Sequence, residues 1–263
     1  MQCMVCRSPM AYFFTKQFDC LDLGAVDYWR CPECGFCASK THLEMSAERW
    51  ERLNDHFHAE THHRTDNPYN RNQRYFNQAL MLFLVRRVGI VKGGRWLDWG
   101  CGVGALAILL KEWFNIELLA YDAYCTPKVN VIDGQDLLPG AFNLVVNTAV
   151  FEHIRRRATL DRVESYVHPG GCFAVHTLVR EEIPKDPGWM YLLPVHCAFF
   201  TNRAMQLLMD QWGYTCSVYN EHAKMWVLFP TKSGPVESRA GRLNGSLGWE
   251  YLHFKRGFMD YWK

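Results

Sequence analysis

No stretch of this 263-residue chain is apolar for long enough to cross a bilayer. The longest greasy run, Ala79 to Val85, falls far short of the ~20 residues a spanning helix needs. Neither sign of charge dominates: 29 lysines and arginines face 27 acids, a formal net of +2. A protein devoted to nucleic acid usually shows a basic face or a high pI, so this balance weighs against that class. The start, Met1-Gln2-Cys3-Met4-Val5-Cys6, lacks the basic-then-apolar layout of a secretion signal. Repeats and low-complexity tracts are also missing. The expectation is a soluble, cytoplasmic protein that binds neither membrane nor nucleic acid; composition leaves the oligomeric state open.

Apolar side chains, by contrast, are plentiful. They make up 49% of the chain, enough for one large α/β domain and a small accessory module. Eleven cysteines in an intracellular chain do not suggest a disulfide framework. Four of them stand as Cys3-x-x-Cys6 and Cys31-x-x-Cys34, 24 residues apart. Each pair can form a tight knuckle, and two knuckles supply the four-sulfur tetrahedron of a closed, structural zinc site. Gly35 helps the second knuckle turn. Fortuitous pairs or a redox site are the alternative. Cys37 competes as a ligand candidate, although it and Cys20 read better as ordinary thiols.

Beyond residue 45 the pattern changes. Ser46 can cap a short helix, and the polar, histidine-rich segment from His56 to Asn72 reads as a connector or lid. Apolar residues at helical spacing predict a helix over 72–88. Short apolar runs then alternate with helical stretches. Strands are expected at Arg95–Asp98, Ile116–Tyr121, Phe142–Val146 and Cys172–His176, with a short one at Val129–Ile132. Helices are expected at Ala105–Trp113, Ile154–Val167 and Thr201–Trp212, and a strand pair at Thr215–Tyr219 and Met225–Phe229. Such alternation implies a doubly wound, mostly parallel sheet. The tail from Pro230 is rich in aromatics, including Trp249, Tyr251, Phe258, Tyr261 and Trp262, and should pack on the body.

Asp98-x-Gly100-x-Gly102-x-Gly104 follows a strand and opens a helix. Glycines there permit a tight turn and a close approach of ligand to main chain. Ala105-Leu106 follow where a phosphate loop needs Lys-Ser/Thr, so that loop is excluded. The acid at position 98 would repel a pyrophosphate and suits a cationic ligand.

Leu97 to Gly104 resembles motif I of the class I S-adenosylmethionine-dependent methyltransferases. Asp122 stands where that family has the acid that binds the ribose hydroxyls, with Ala123 beside it, and Asp133-Gly134 resembles the position beside the adenine. Phe142 to Ile154 resembles motif IV, although Asn143 replaces the usual acid. His168-Pro169-Gly170-Gly171 resembles the turn before the fifth strand. The resemblance implies a Rossmann-like seven-stranded fold and S-adenosyl-L-methionine as cofactor. It implies a cofactor site of Asp98, Gly100, Cys101, Gly102, Gly104, Asp122, Ala123, Asp133, Gly134, Asn147 and Thr148.

With the cysteine quartet in front, the chain resembles two subgroups: sugar and natural-product methyltransferases, and ribosomal-RNA guanine methyltransferases. The expected division is a zinc ribbon at 1–45, a connector or lid at 46–71, the methyltransferase domain at 72–230 and a packed extension at 231–263. The expected acceptor is a small molecule, such as a sugar, polyketide, other secondary metabolite or glycan precursor. An RNA methyltransferase and a non-catalytic scaffold are the alternatives; Asn147-Thr148-Ala149-Val150 departs from the tetrad of amino-group methylation.

An O–H or N–H acceptor needs a base. His153 just past the fourth strand is the first candidate, with His176 and His196 behind it; the competing reading has Glu152-His153 merely order the loop. The histidines at 56, 58, 62 and 63 lack a carboxylate frame and read as a lid rather than a metal site, and Arg155-Arg156-Arg157 reads as a solvated face. Metal analysis of the purified chain should return about one tightly held zinc per molecule; a metal-free, folded protein would remove the ribbon.

Overall fold

The computed structural model describes residues 1–63, 68–230 and 233–260. Side chains of 58–72, 231–233 and 261–263 lie outside the description, and with them His58, His62, His63, Tyr261 and Trp262. The chain opens with β1 (Ala11–Phe18), β2 (Gly24–Arg30), β3 (Cys37–Ser39) and α1 (Lys40–Glu44), followed by α2 (Ala47–His63) and α3 (Pro68–Arg87). The alternating part comprises β4 (Trp96–Trp99), α4 (Ala105–Phe114), β5 (Leu119–Tyr121), β6 (Phe142–Thr148), α5 (Arg157–Ser165) and β7 (Val167–His176). It continues through β8 (Val179–Arg180), β9 (Ala198–Thr201), α6 (Asn202–Gln211), β10 (Cys216–Asn220), β11 (Met225–Phe229), α7 (Ser233–Leu247) and β12 (His253–Arg256).

The main sheet runs β12-β10-β11-β7-β6-β4-β5. This is the expected seven-stranded α/β sheet. The four strands from β7 to β5 are parallel; β10, β11 and β12 join antiparallel. Parallel strands buried on both faces read as continuous apolar runs, and β6 does so. Its Phe142 and Val145 face one apolar core, while Leu144 and Val146 face the other.

A second sheet, β1-β2-β3-β9-β8, crosses the length of the chain. Strand β3, just past the second cysteine pair, pairs with β9 from beyond residue 197 through Cys37↔Phe199 and Ala38↔Ala198. Lys16 of β1 also donates to the Leu192 carbonyl at 2.9 Å. The cysteine-bearing segment is therefore woven into the body.

Three sequence expectations change. Most of the segment from His56 to Asn72 is helical, in α2 and α3, rather than a connector, with only residues 64–67 undescribed. Trp50, Leu53 and Asn54 bury one side of α2, which outweighs its polar composition, and Pro68 suits a first helical turn. Val129–Ile132 forms a single bridge, Ala120↔Val131, instead of a strand. The helix expected from Ile154 begins at Arg157, because Phe151–His153 first makes a 3-10 turn.

One glycine permits the close approach of β7 to the start of β6. A Cβ at Gly171 would meet the carbonyl oxygens of Asn143 at 2.8 Å, His168 at 2.9 Å and Phe142 at 3.1 Å. These oxygens belong to backbone and cannot retreat. Gly171→Ala should cost about 1–3 kcal/mol in a denaturant titration. Gly170→Ala, whose Cβ would meet nothing nearer than 3.8 Å, should stay close to wild type. Equal midpoints for the two variants would refute this packing argument.

Candidate functional site

A cleft of about 1330 Å3 opens at the carboxyl ends of β4, β5, β6 and β7. It lies where the strand order reverses, between β4 and β6, the usual ligand position in such sheets. Its volume exceeds the ~300–1,000 Å3 of an ordinary single-ligand site. Gly100, Cys101 and Gly102 line it, as do Asp122, Ala123, Gly134 and Thr148.

The loop is built from backbone bonds. The amides of Gly100 and Cys101 donate to the Tyr121 carbonyl at 2.8 and 3.1 Å. Gly100, at φ +77°, has Val150 where a Cβ would stand, 2.6 Å away. At Gly102 the same position is empty to 4 Å, so the backbone is bare. The Gly102 amide donates to Asp122 Oδ2 at 2.8 Å, and those of Tyr124 and Cys125 donate to Oδ1. Both carboxylate oxygens are thereby oriented, Oδ1 by two amides and Oδ2 by one, which leaves Oδ2 a lone pair.

Four of the expected cofactor residues do not line the cleft. Gly104 caps α4 in the left-handed region. Asp133 is exposed. Asn147 is buried and donates to the Trp99 carbonyl at 2.9 Å, while its Oδ1 has no partner. Asp98 is buried at the end of β4, and its Oδ1 also has none. Burial, with the Asp122 charge adding to it, pushes the Asp98 carboxyl up to about 7. Asn143 accepts from the Arg95 amide at the far end of β6, away from the cleft lining.

The three candidate histidines all line the cleft. His153 and His196 meet edge to face, with ring centroids 4.9 Å apart. The Nδ1 of His196 bonds the Tyr191 carbonyl at 2.8 Å. His176 donates through Nδ1 to the Lys224 carbonyl at 2.6 Å, and burial holds its pKa down at about 4. It is therefore neutral and a weak base.

Sequence reasoning missed what surrounds them. Glu152, 2% exposed, accepts from Thr177 at 2.9 Å and from the Tyr191 hydroxyl at 2.6 Å. Burial and the Glu152 charge push the Tyr191 hydroxyl far up, so it remains a donor. Ala149 turns in the left-handed region at φ +56°, a conformation unfavourable by ~1 kcal/mol or more for a non-glycine, and its amide is tied to the His176 carbonyl. The Glu-His pair was visible in the sequence; nothing in it marked Thr177 or the Tyr191 hydroxyl as partners of Glu152.

The arginine run also differs from the solvated face expected. Arg155 donates to the carbonyls of His42 and Met45 and lies over the Trp50 ring. Arg157 reaches Asp161, Gln211 and the Met4 carbonyl. Only Arg156 is exposed.

The cysteine quartet converges. All four sulfurs lie within 4.8 Å of one another, with Cys3–Cys34 at 3.6 Å and Cys6–Cys31 at 3.4 Å. Tetrahedral zinc with ~2.3 Å bonds sets sulfurs about 3.8 Å apart, so the donor set fits such an ion. Cys37 stays outside it, buried in β3.

A family model described as a methyltransferase domain matches residues 69–217. No curated protein matches significantly. Among solved structures, the plantazolicin methyltransferase in complex with a monoazolic desmethylPZN analogue and SAH has a TM-score of 0.50 at 14% identity, over 81% of this chain and 97% of that one. A SAM-dependent methyltransferase from Thermotoga maritima has 0.38 at 17%, over 64% and 97%. The magnesium protoporphyrin IX methyltransferase from Synechocystis, with bound SAH, has 0.42 at 14%, over 62% and 86%.

An aspartate held near pH 7 in the fold binds a proton that the unfolded chain releases near pH 4. Its support for the fold is complete below pH ~4 and is lost as the pH rises through 7. Asp98→Asn should therefore gain stability over wild type across that window, by at most ~1.4 kcal/mol per pH unit. Urea titrations of the ligand-free proteins at pH 5 and 8 measure it; parallel profiles would contradict it.

Proposed function

The chain belongs to the methyltransferase-domain family across residues 69–217, and on that footing we propose that it transfers the methyl group of S-adenosyl-L-methionine to a small-molecule acceptor. One observation carries the reading: a single cleft holds the bare glycine backbone, the oriented Asp122 carboxylate and all three candidate histidines. When bound, the cofactor supplies a methyl group already activated on a sulfonium.

The chain's own residues fit that group. Asp122 Oδ2 retains a lone pair for an O–H group of a diol. Ala123 and Gly134 flank it along the same wall. The buried, unpartnered Oδ1 of Asp98 favours a cation over a pyrophosphate. Asn147 and Thr148 close β6 beneath the reacting end. Trp50, Tyr75, Tyr191 and Trp226 line the cleft alongside Arg74, Arg162 and Lys224, and these aromatic faces suit an acceptor with a flat or apolar body. In-line displacement then needs mainly alignment and desolvation.

Among the histidines, His176 is better suited to accepting a hydrogen bond from substrate than to removing a proton. His153 and His196 remain the candidate proton acceptors. The quartet Cys3, Cys6, Cys31 and Cys34 is read as a structural zinc site that braces the acceptor wall through β3 and β9. Arg155 and Arg157 are engaged internally, which leaves Arg156 as the exposed member of the basic run. A sugar, polyketide or related metabolite is the preferred acceptor class. The proposed division keeps a ribbon at 1–45, a lid at 46–71, the catalytic domain at 72–230 and the extension at 231–263.

Calorimetry should detect binding of S-adenosylmethionine and of its demethylated product. Asp122→Ala should weaken both about tenfold to a hundredfold, for hydrogen bonds to a charged group worth ~1.5–3 kcal/mol. A folded protein that binds neither would overturn the proposal. Tight, salt-steep binding to ribosomal RNA would move the acceptor to that class.

A further inference from the structure

Glu152, His153 and His196 form a second convergent donor set, unrelated to the cysteines. One carboxylate oxygen and one ring nitrogen from each histidine lie within 4.8 Å of one another. Donors bound to one divalent ion at ~2.0–2.2 Å sit at most about 4.4 Å apart. A small adjustment of the half-buried His153 closes that gap.

The neighbours orient these groups as supporting residues orient ligands in metal sites. Tyr191 serves two of the three: its carbonyl takes the Nδ1–H of His196, which leaves Nε2 as the donor atom, and its hydroxyl fixes Glu152 Oε1. Thr177 fixes Oε2, so each Glu152 oxygen accepts one neutral O–H and retains a lone pair. The carboxylate is buried and, among the described residues, makes no salt bridge. A buried negative charge met only by hydroxyls is unfavourable until a cation joins it.

The geometry points to a divalent cation site formed by Glu152, His153 and His196 on the acceptor side of the cleft. Two imidazoles and one carboxylate suit a first-row ion such as Mn2+, Fe2+, Co2+ or Zn2+, with coordination positions left for substrate. The ion's role rests on the methyl transfer proposed above: it binds an acceptor hydroxyl and lowers its pKa. The hydroxyl proton leaves to solvent. The oxygen forms a C–O bond to the methyl carbon as the C–S bond breaks, and the sulfonium departs as a neutral thioether. His153 and His196 then act as ligands rather than as the base.

Manganese separates this site from the quartet, because thiolates are poor ligands for it. The zinc-loaded full chain is titrated with Mn2+ and followed by electron paramagnetic resonance, with S-adenosylhomocysteine binding measured in parallel. Wild type should take up about one Mn2+ per chain. His153→Ala and His196→Gln should weaken uptake at least as much as Tyr191→Phe, which should lose about tenfold to a hundredfold as a supporting residue. All three variants should still bind S-adenosylhomocysteine. Absence of Mn2+ uptake by a wild type that binds S-adenosylhomocysteine, or uptake undiminished in all three variants, sinks the metal site and leaves the methyltransferase reading intact. Failure of wild type to bind S-adenosylhomocysteine, with Mn2+ still taken up and lost in the variants, sinks that reading and leaves the ion.

Discussion

Two backbone hydrogen bonds at Cys197 join the halves of this molecule. Its amide donates to the Glu152 carbonyl at 2.8 Å, and its carbonyl accepts from the Ser39 amide at 2.9 Å. Ser39 ends the strand that follows the second cysteine pair, and Glu152 sits at the centre of the turn that follows β6. Cys197 thus sets the distance between the cysteine quartet and the cleft wall. Thr201, four residues on, extends the link: it caps α6 and its hydroxyl donates to the Cys34 carbonyl. Ordering four thiolates around the proposed zinc would therefore be coupled to ordering the wall that carries Tyr191 and His196.

Electrostatics around the cleft follow one theme. Asp98 and Glu152 are buried acids without salt bridges among the described residues; Glu152 lines the cleft and Asp98 lies behind it, at the end of β4. Such charges are unfavourable alone and become favourable beside cations. A sulfonium on the Asp98 side and a divalent ion on the Glu152 side would each relieve one of them. Arg155 and Arg157 do not serve this purpose, because their guanidinium groups hold backbone carbonyls of the amino-terminal segment.

The legible parts of the sequence were those in which spacing along the chain is the geometry. Cys-x-x-Cys pairs bring their own sulfurs together, and a glycine loop between strand and helix bares its own backbone. Asp122 was found because its distance from the loop reflects one βαβ step. Misreadings arose where composition stood in for packing. The polar segment after His56 became helical because Trp50 and Leu53 bury a side of α2. Arg155 and Arg157 looked like a solvated face and are internal fasteners.

By itself, the sequence determined the α/β class, the glycine loop with its acid and the cysteine quartet, since each depends on residues near in the chain or related by one repeat of the fold. Only the tertiary structure decided that His196 joins Glu152 and His153, that Tyr191 holds two of them, and that β3 pairs with β9. Apart from the short step from Tyr191 to His196, those contacts bridge separations from 39 to 162 residues. Their geometry is set by which strands pair, and strand pairing reflects the packing of the whole core rather than any local pattern.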